Sequence, residues 1–224
     1  FSSGHVPSDY PARVAADFPD LLAIVREKVK PERDKLNDTN STGRRKEFWW
    51  CYGGDSKGLY HTIGRGASFV KHPDGWENIQ SPERVIACSL VSKYLAFSIK
   101  DSNAVFTHAT GCFSICTYEI FSILNSNFHE MWARKNCSSL ETRLRYTPSD
   151  AYETFPFPAF IKGELEALGQ DYDVLRREIM LREQIGLTKL YNAFHNPEIQ
   201  KVKINELRQL QKQIDEAVRD SYGW

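Results

Sequence analysis

Arg143 and Arg145 stand two residues apart within Ser138 to Pro158, SSLETRLRYTPSDAYETFPFP. In an extended segment that spacing points both guanidinium groups to the same side, an arrangement suited to phosphate oxygens or guanine edges. Glu141, Asp150 and Glu153 lie close enough in sequence to hold the same arginines in salt bridges, and both readings stand on the sequence. Lys93 is a long cation between two apolar runs, either a nucleic-acid contact or an edge residue snorkelling to water. Arg44-Arg45-Lys46 precedes Phe48-Trp49-Trp50. Basic residues beside aromatics suit phosphate contact with base stacking, or a solvated turn leading into a tryptophan-anchored core. Gly53-Gly54-Asp55-Ser56-Lys57-Gly58 imitates a phosphate loop without the Gly-Lys-Ser/Thr ending or a strand–loop–helix frame, and reads as a turn. His129 flanks an apolar stripe and reads as a packed or capping histidine. Cys112-x3-Cys116 lacks the second pair of a zinc site, so no metal ligands and no catalytic residues are assigned.

These side chains need elements to carry them. Pro148 pushes Thr147 towards extended geometry, Thr147 to Asp150 is turn chemistry, and Phe155-Pro156-Phe157-Pro158 cannot form a central strand. The stretch is therefore expected to be a rigid elbow. Phe1 to Ala16 reads as a loop. Asp17 is the expected cap of a helix with Leu21, Leu22, Val25 and Val29 on one stripe, ended or kinked by Pro31, before a polar linker over 37–43. Val85–Val91, Tyr94–Ile99, Ala104–Phe106 and Cys112–Ile115 are expected strands, with a turn at Lys100–Asn103. The loops Gly64–Pro73 and Thr107–Gly111 would be presented by that scaffold.

Thr117 should cap a helix whose Ile120, Phe121, Leu124, Phe128, Met131 and Trp132 form a core stripe. After the elbow the expected pattern is helical. One segment stops at Gly169, a second ends near His195, and Asn196-Pro197-Glu198 restarts a third with Leu207, Leu210, Ile214, Ala217 and Val218 on its stripe. The fold class is α+β: a small, curved, mostly antiparallel sheet domain with packed helices, then a C-terminal helical hairpin or bundle. The expected division is 1–38 as N-terminal loop and linker helix, 39–158 as sheet domain and 159–224 as helical domain.

Composition sets outer limits. With 224 residues, 41% hydrophobic and 12% aromatic, the chain can bury a core and is not disordered. No apolar run reaches the ~18 residues of a membrane span, and no signal peptide is recognised. The odd count of five cysteines reads as thiols in a reducing compartment. Net charge is zero, but residues 44–145 hold 13 Lys and Arg against 9 Asp and Glu. A mildly basic middle with acidic flanks fits a nucleic-acid reader on a scaffold. A start at Phe1 suggests a piece of something longer.

The elbow, together with Phe48-Trp49-Trp50, Val91-Ser92-Lys93-Tyr94 and Phe128-His129-Glu130-Met131-Trp132-Ala133, resembles the C-terminal part of MmeI-type restriction-modification and phage-exclusion adenine methyltransferases. Tyr191-Asn192-Ala193-Phe194-His195 and Ala217 to Trp224 look like the ends of the same proteins. The resemblance implies a target recognition domain and helical segment downstream of a catalytic core. The Asn/Asp-Pro-Pro-Tyr/Phe tetrapeptide of that core and a glycine-rich turn for S-adenosylmethionine are absent from this sequence. No cofactor is therefore expected in the chain itself, and S-adenosylmethionine is expected of the parent protein, which the resemblance makes an N6-adenine methyltransferase, with or without a fused nuclease. The implied partners are double-stranded DNA and the missing methyltransferase domain, with no membrane and with the C-terminal helices open to homo-oligomer contacts. The implied location is the bacterial cytoplasm. Lys93, Arg143 and Arg145 are the expected base contacts, and Arg44, Arg45 and Lys46 the expected backbone contacts. The rival reading is a protein-interaction or assembly module working through its C-terminal helices.

Overall fold

The computed structural model describes residues 15–39, 42–51, 59, 63, 82–102 and 104–224. The Gly53–Gly58 turn, the Gly64–Pro73 loop and the N-terminal loop before Ala15 lie outside them. The chain gathers into two compact units, Phe1–Ser56 and Lys57–Trp224.

In the first unit a 3-10 turn over Ala15–Asp17 leads into α1 (Pro19–Lys28). Phe18, not the expected Asp17, holds the N-cap position, because Pro19 at the first helical position fixes the entry. Pro31 opens a second short helix, α2 (Lys30–Asp34), so the chain breaks at Val29. No residue of α1 is fully buried: Leu22, Val25 and Val29 of the expected stripe are half-buried and Leu21 is 61% exposed. α3 (Gly43–Glu47) follows. Arg33 Nη1 donates to Cys51 O at 2.8 Å, tying α2 to the segment beyond α3. Trp49 is buried, with the Arg26 and Lys30 cations each 5.9 Å from its ring centroid, so it packs within the unit.

Among the described residues, the second unit holds two three-stranded antiparallel sheets. In the first, β1 (Arg84–Ser89) lies between β3 (Phe97–Asp101) and β4 (Thr110–Phe113), with Ile86 opposite Ile99 on one side and Phe113 on the other. The second orders β2 (Val91–Ser92), β6 (Arg143–Arg145) and β5 (Ser138–Leu140). The unbroken apolar run of β1 has a plain cause. Ile86 and Cys88 face the main core while Val85 and Ala87 face a smaller cluster with Ile63 and Phe106, and a strand buried on both faces does not alternate. Two expectations fail. Lys100 and Asp101 extend β3 instead of turning, paired with Val85 and Arg84, and Ala104–Phe106 is irregular, its Phe106 serving the smaller cluster.

Thr117 caps α4 (Tyr118–Asn125), its Oγ1 accepting from Ile120 N at 3.3 Å. The expected single helix then breaks at Ser126 (φ −70°, ψ 155°), which caps α5 (Asn127–Asn136). The break shifts the helical phase. Met131 is 71% exposed instead of core, Trp132 is half-buried with its indole N–H on Thr154 Oγ1 at 3.1 Å, and His129 and Ala133 take the inward positions. α6 (Pro148–Ala151) is a single turn within the elbow.

The tail comprises α7 (Glu164–Glu183), α8 (Leu187–His195) and α9 (Val202–Ser221). α7 runs straight through Gly169, the expected stop. Gly169 is buried where α7 crosses α4, and a Cβ there would meet Ser122 Oγ and come within 2.5 Å of Tyr118 O. The real end comes at Gln184, in the left-handed conformation (φ 52°). Asn196-Pro197-Glu198 does not start a helix either. The Asn196 carbonyl and those flanking the segment are engaged by Arg208, which donates to Ala193 O, Phe194 O, Asn196 O and Ile199 O, and α9 begins only at Val202. One core joins tail and sheets, from Phe97, Phe121 and Leu144 to Leu165, Leu190, Leu207 and Val218.

Candidate functional site

β6 alternates outward Arg143, buried Leu144 and outward Arg145, as a period of two requires. Pairing on both edges fixes it, with Arg145 opposite Val91 of β2 and Ser138 of β5. The turn from β5 is Glu141–Thr142, and Glu141 adopts φ 57°, which costs a non-glycine residue about 1–2 kcal/mol. Its carboxylate accepts from Arg143 Nη2 at 2.9 Å. Side-chain exposures of 46% and 75% put this pair in water, where such a bridge is worth about 0–1 kcal/mol. The guanidinium thus stays open to a stronger acceptor. Among the described residues Arg145 makes no ion pair, and neither Asp150 nor Glu153 meets either arginine.

Arg143 borders a groove of about 430 Å3. The stretch after β1 supplies Ser92, Lys93 and Tyr94 to one wall, and α8 supplies Leu187, Thr188 and Tyr191 to the other. Lys93 is tightly surrounded for a surface cation. Its carbonyl accepts from Arg134 Nη2 at 3.0 Å, and Arg134 is held by Glu130 at 2.6 Å. Its ammonium lies 4.8 Å from the Tyr94 ring centroid and 3.5 Å from Asn192 Oδ1, the outer limit of a hydrogen bond. Tyr94 OH donates to the same Oδ1 at 2.9 Å, and its ring stacks on His195 at 4.8 Å and 12°. Burial holds His195 below the usual imidazole range, and the Lys93, Arg134 and Arg208 charges act in the same direction against Glu130.

The structure therefore brings Lys93 and Arg143 together and sets Arg145 on the outward face of the same strand. Arg44, Arg45 and Lys46 lie on α3 in the first unit, where Arg45 is exposed and Lys46 Nζ stands 3.5 Å from Asp38 Oδ1. Sequence reasoning missed Tyr94, Arg134, Thr188 and Asn192. The residues were in view, but only folding sets α8 beside Lys93, about a hundred residues away in the chain.

Two buried polar groups are structural. His129 Nε2 lies 3.0 Å from Tyr146 OH, among Phe97 and Phe155, and burial pulls its pKa down to about 4. It is the packed histidine the sequence suggested. Arg176, fully buried between the Phe121 and Tyr172 rings, donates to Phe97 O at 2.6 Å and Tyr191 OH at 3.2 Å and pairs with Asp173 at 3.5 Å. It ties α7 to β3 and α8. Burial pushes the thiols of Cys88 and Cys112 up to about 12 and about 11, away from thiolate chemistry. Among the described residues no three His, Cys, Asp or Glu side chains gather as a metal site.

The family model "MmeI, target recognition domain" matches residues 67–159. Among solved structures, the chain is similar to the Type IIL restriction-modification enzyme MmeI in complex with DNA, with a TM-score of 0.60 and 19% identity. That likeness covers 95% of this chain and 25% of the enzyme, so the chain spans about a quarter of the protein it resembles. No curated protein gives a significant sequence match.

Proposed function

We propose that this chain, whose residues 67–159 match the MmeI target recognition domain, reads DNA sequence for a restriction-modification enzyme through the groove between β2, β6 and α8. The observation that carries the reading is the convergence of Lys93 and Arg143 on one groove within a domain of that family. Both side chains suit guanine, whose O6 and N7 accept paired hydrogen bonds in the major groove, and each good pair discriminates by about 1–3 kcal/mol. Arg145 continues the same outward face. Arg44, Arg45 and Lys46 contact phosphates, which position a protein without carrying sequence information.

The chemistry belongs to the rest of the parent protein. Methyl transfer to adenine N6 with S-adenosylmethionine, and cleavage where a nuclease is fused, take place in the three quarters of such an enzyme that this chain does not span. A bacterial cytoplasmic location follows from that reading. A second reading, a protein-interaction surface on the helical tail, is favoured by Phe160 and Trp224, 82% and 72% exposed. The two separate on salt dependence. Counterion release makes log affinity for duplex DNA fall with log salt by about 0.9 per phosphate contacted, so the chain should bind DNA with a steep negative slope that Arg45→Ala with Lys46→Ala flattens by about two units. Binding to DNA that is absent or indifferent to salt would leave the interaction surface as the working face.

A further inference from the structure

We propose that α8 is a working wall of the reading groove, in which Asn192 and Tyr94 are positioning residues that fix the Lys93 ammonium and Thr188 contacts the DNA directly. The inference rests on the DNA-reading function above and deepens it. The segment 187–195 lies outside the 67–159 match, so nothing in the family assignment gives it a part in recognition.

A flexible lysine is a poor base reader unless its four-carbon stem is restrained, because ordering the side chain costs conformational entropy when the base is met. Here the restraint comes from outside the recognition domain. Asn192 Oδ1 stands 3.5 Å from Lys93 Nζ while accepting from Tyr94 OH at 2.9 Å. One oxygen thus orients both the cation and the ring beneath it, whose centroid lies 4.8 Å from Nζ. The Tyr94 ring has support of its own, since it stacks on His195 at 4.8 Å, also on α8. Backbone placement is independently set by Arg134 on Lys93 O. An ammonium has three donors, and the Asn192 contact uses one, at long range. The others remain for an acceptor in the groove. Across from Lys93, Thr188 is exposed on the same wall as Leu187 and Tyr191, and its hydroxyl both donates and accepts. α8 itself is firmly seated. Leu190 is fully buried, Tyr191 OH accepts from the buried Arg176, and Arg208 closes the helix's C-terminal end. A rigid element placing polar side chains at a groove is how a precise contact is made.

The alternative is that Lys93 and Asn192 are a strut joining sheet to tail. The test is selection of bound duplexes from a randomised pool by the full chain, followed by sequencing, for the parent sequence, Lys93→Ala, Asn192→Ala, Tyr94→Phe, Thr188→Val and the Lys93→Ala/Asn192→Ala double variant, with thermal melting of each. The parent should enrich a defined motif. Asn192→Ala and Tyr94→Phe should weaken preference at the base pair that Lys93→Ala abolishes, by about fivefold or more for Asn192→Ala, near the lower end of one base contact. Asn192→Ala should add nothing in the Lys93→Ala background, because it acts through the lysine. Thr188→Val should change preference at a different position. Unchanged motifs in Asn192→Ala and Thr188→Val, with or without a lowered melting temperature, would overturn the inference and leave the strut. A parent chain that binds without enriching any motif would remove the DNA-reading function, and this inference with it.

Discussion

His129 illustrates how much a single buried side chain reports. Its imidazole is enclosed by Phe97, Tyr146 and Phe155, and burial lowers its pKa from 6.5 to about 4. The native state therefore refuses a proton that the unfolded chain accepts below 6.5. Stability is complete above that pH and is lost as pH falls from 6.5 towards 4, by up to about 3 kcal/mol. His195, lowered in the same direction, adds a smaller loss of the same sign. Denaturant unfolding at a series of pH values should show this slope in the parent chain and a reduced slope in His129→Gln; parallel curves would mean that His129 is not held neutral. At this scale the sequence was informative in kind and less so in place. The type of His129 was legible from the apolar residues around it, and Arg143 and Arg145 do point outward together. The core stripe slipped because Ser126, an exposed-looking serine among polar neighbours, caps a second helix and moves Met131 to the surface.

Between elements, the closest approach decides what the helices can do. Gly169 lets α7 lie against α4 at backbone distance, and Ser122 Oγ donates to Leu165 O at 2.8 Å across the same contact. A methyl group at that point meets a carbonyl that cannot move without breaking α4. Gly169→Ala should thus cost about 1–3 kcal/mol or more, whereas Gly163→Ala, with open space around it, should stay within about 1 kcal/mol of the parent. Denaturant midpoints of the two variants check this; equal midpoints would mean that α7 and α4 do not cross as described. Gly169 was misread as a stop because a glycine after an apolar repeat usually marks a helix end, and only the partner helix shows otherwise. The true end uses a left-handed glutamine, which carries no such signature. β1, by contrast, was legible because burial on both faces leaves a continuous apolar run.

In the second unit, tail and sheets share one core, so recognition-type strands and tail helices fold together. Polar locks reinforce that core. Asp215 accepts from Asn127 N at 2.8 Å and Nδ2 at 2.6 Å, Gln211 Nε2 donates to Asn125 O at 3.0 Å, and Tyr222 OH donates to Pro156 O at 2.8 Å. The α+β class was readable from periodicity. The groove was not, since its walls come from segments far apart in sequence. Under the proposed function, this chain reads DNA sequence with Arg143 at that groove. Its most direct test is the ratio of affinities for the selected duplex and for the same duplex changed at one base pair at a time, measured for the parent chain and Arg143→Ala at fixed salt. Arg143→Ala should lower discrimination at one base pair by about 1–3 kcal/mol and leave the other positions and the melting temperature nearly unchanged. Discrimination retained at every position, with only a loss of thermal stability, would contradict it and make Arg143 the structural partner of Glu141.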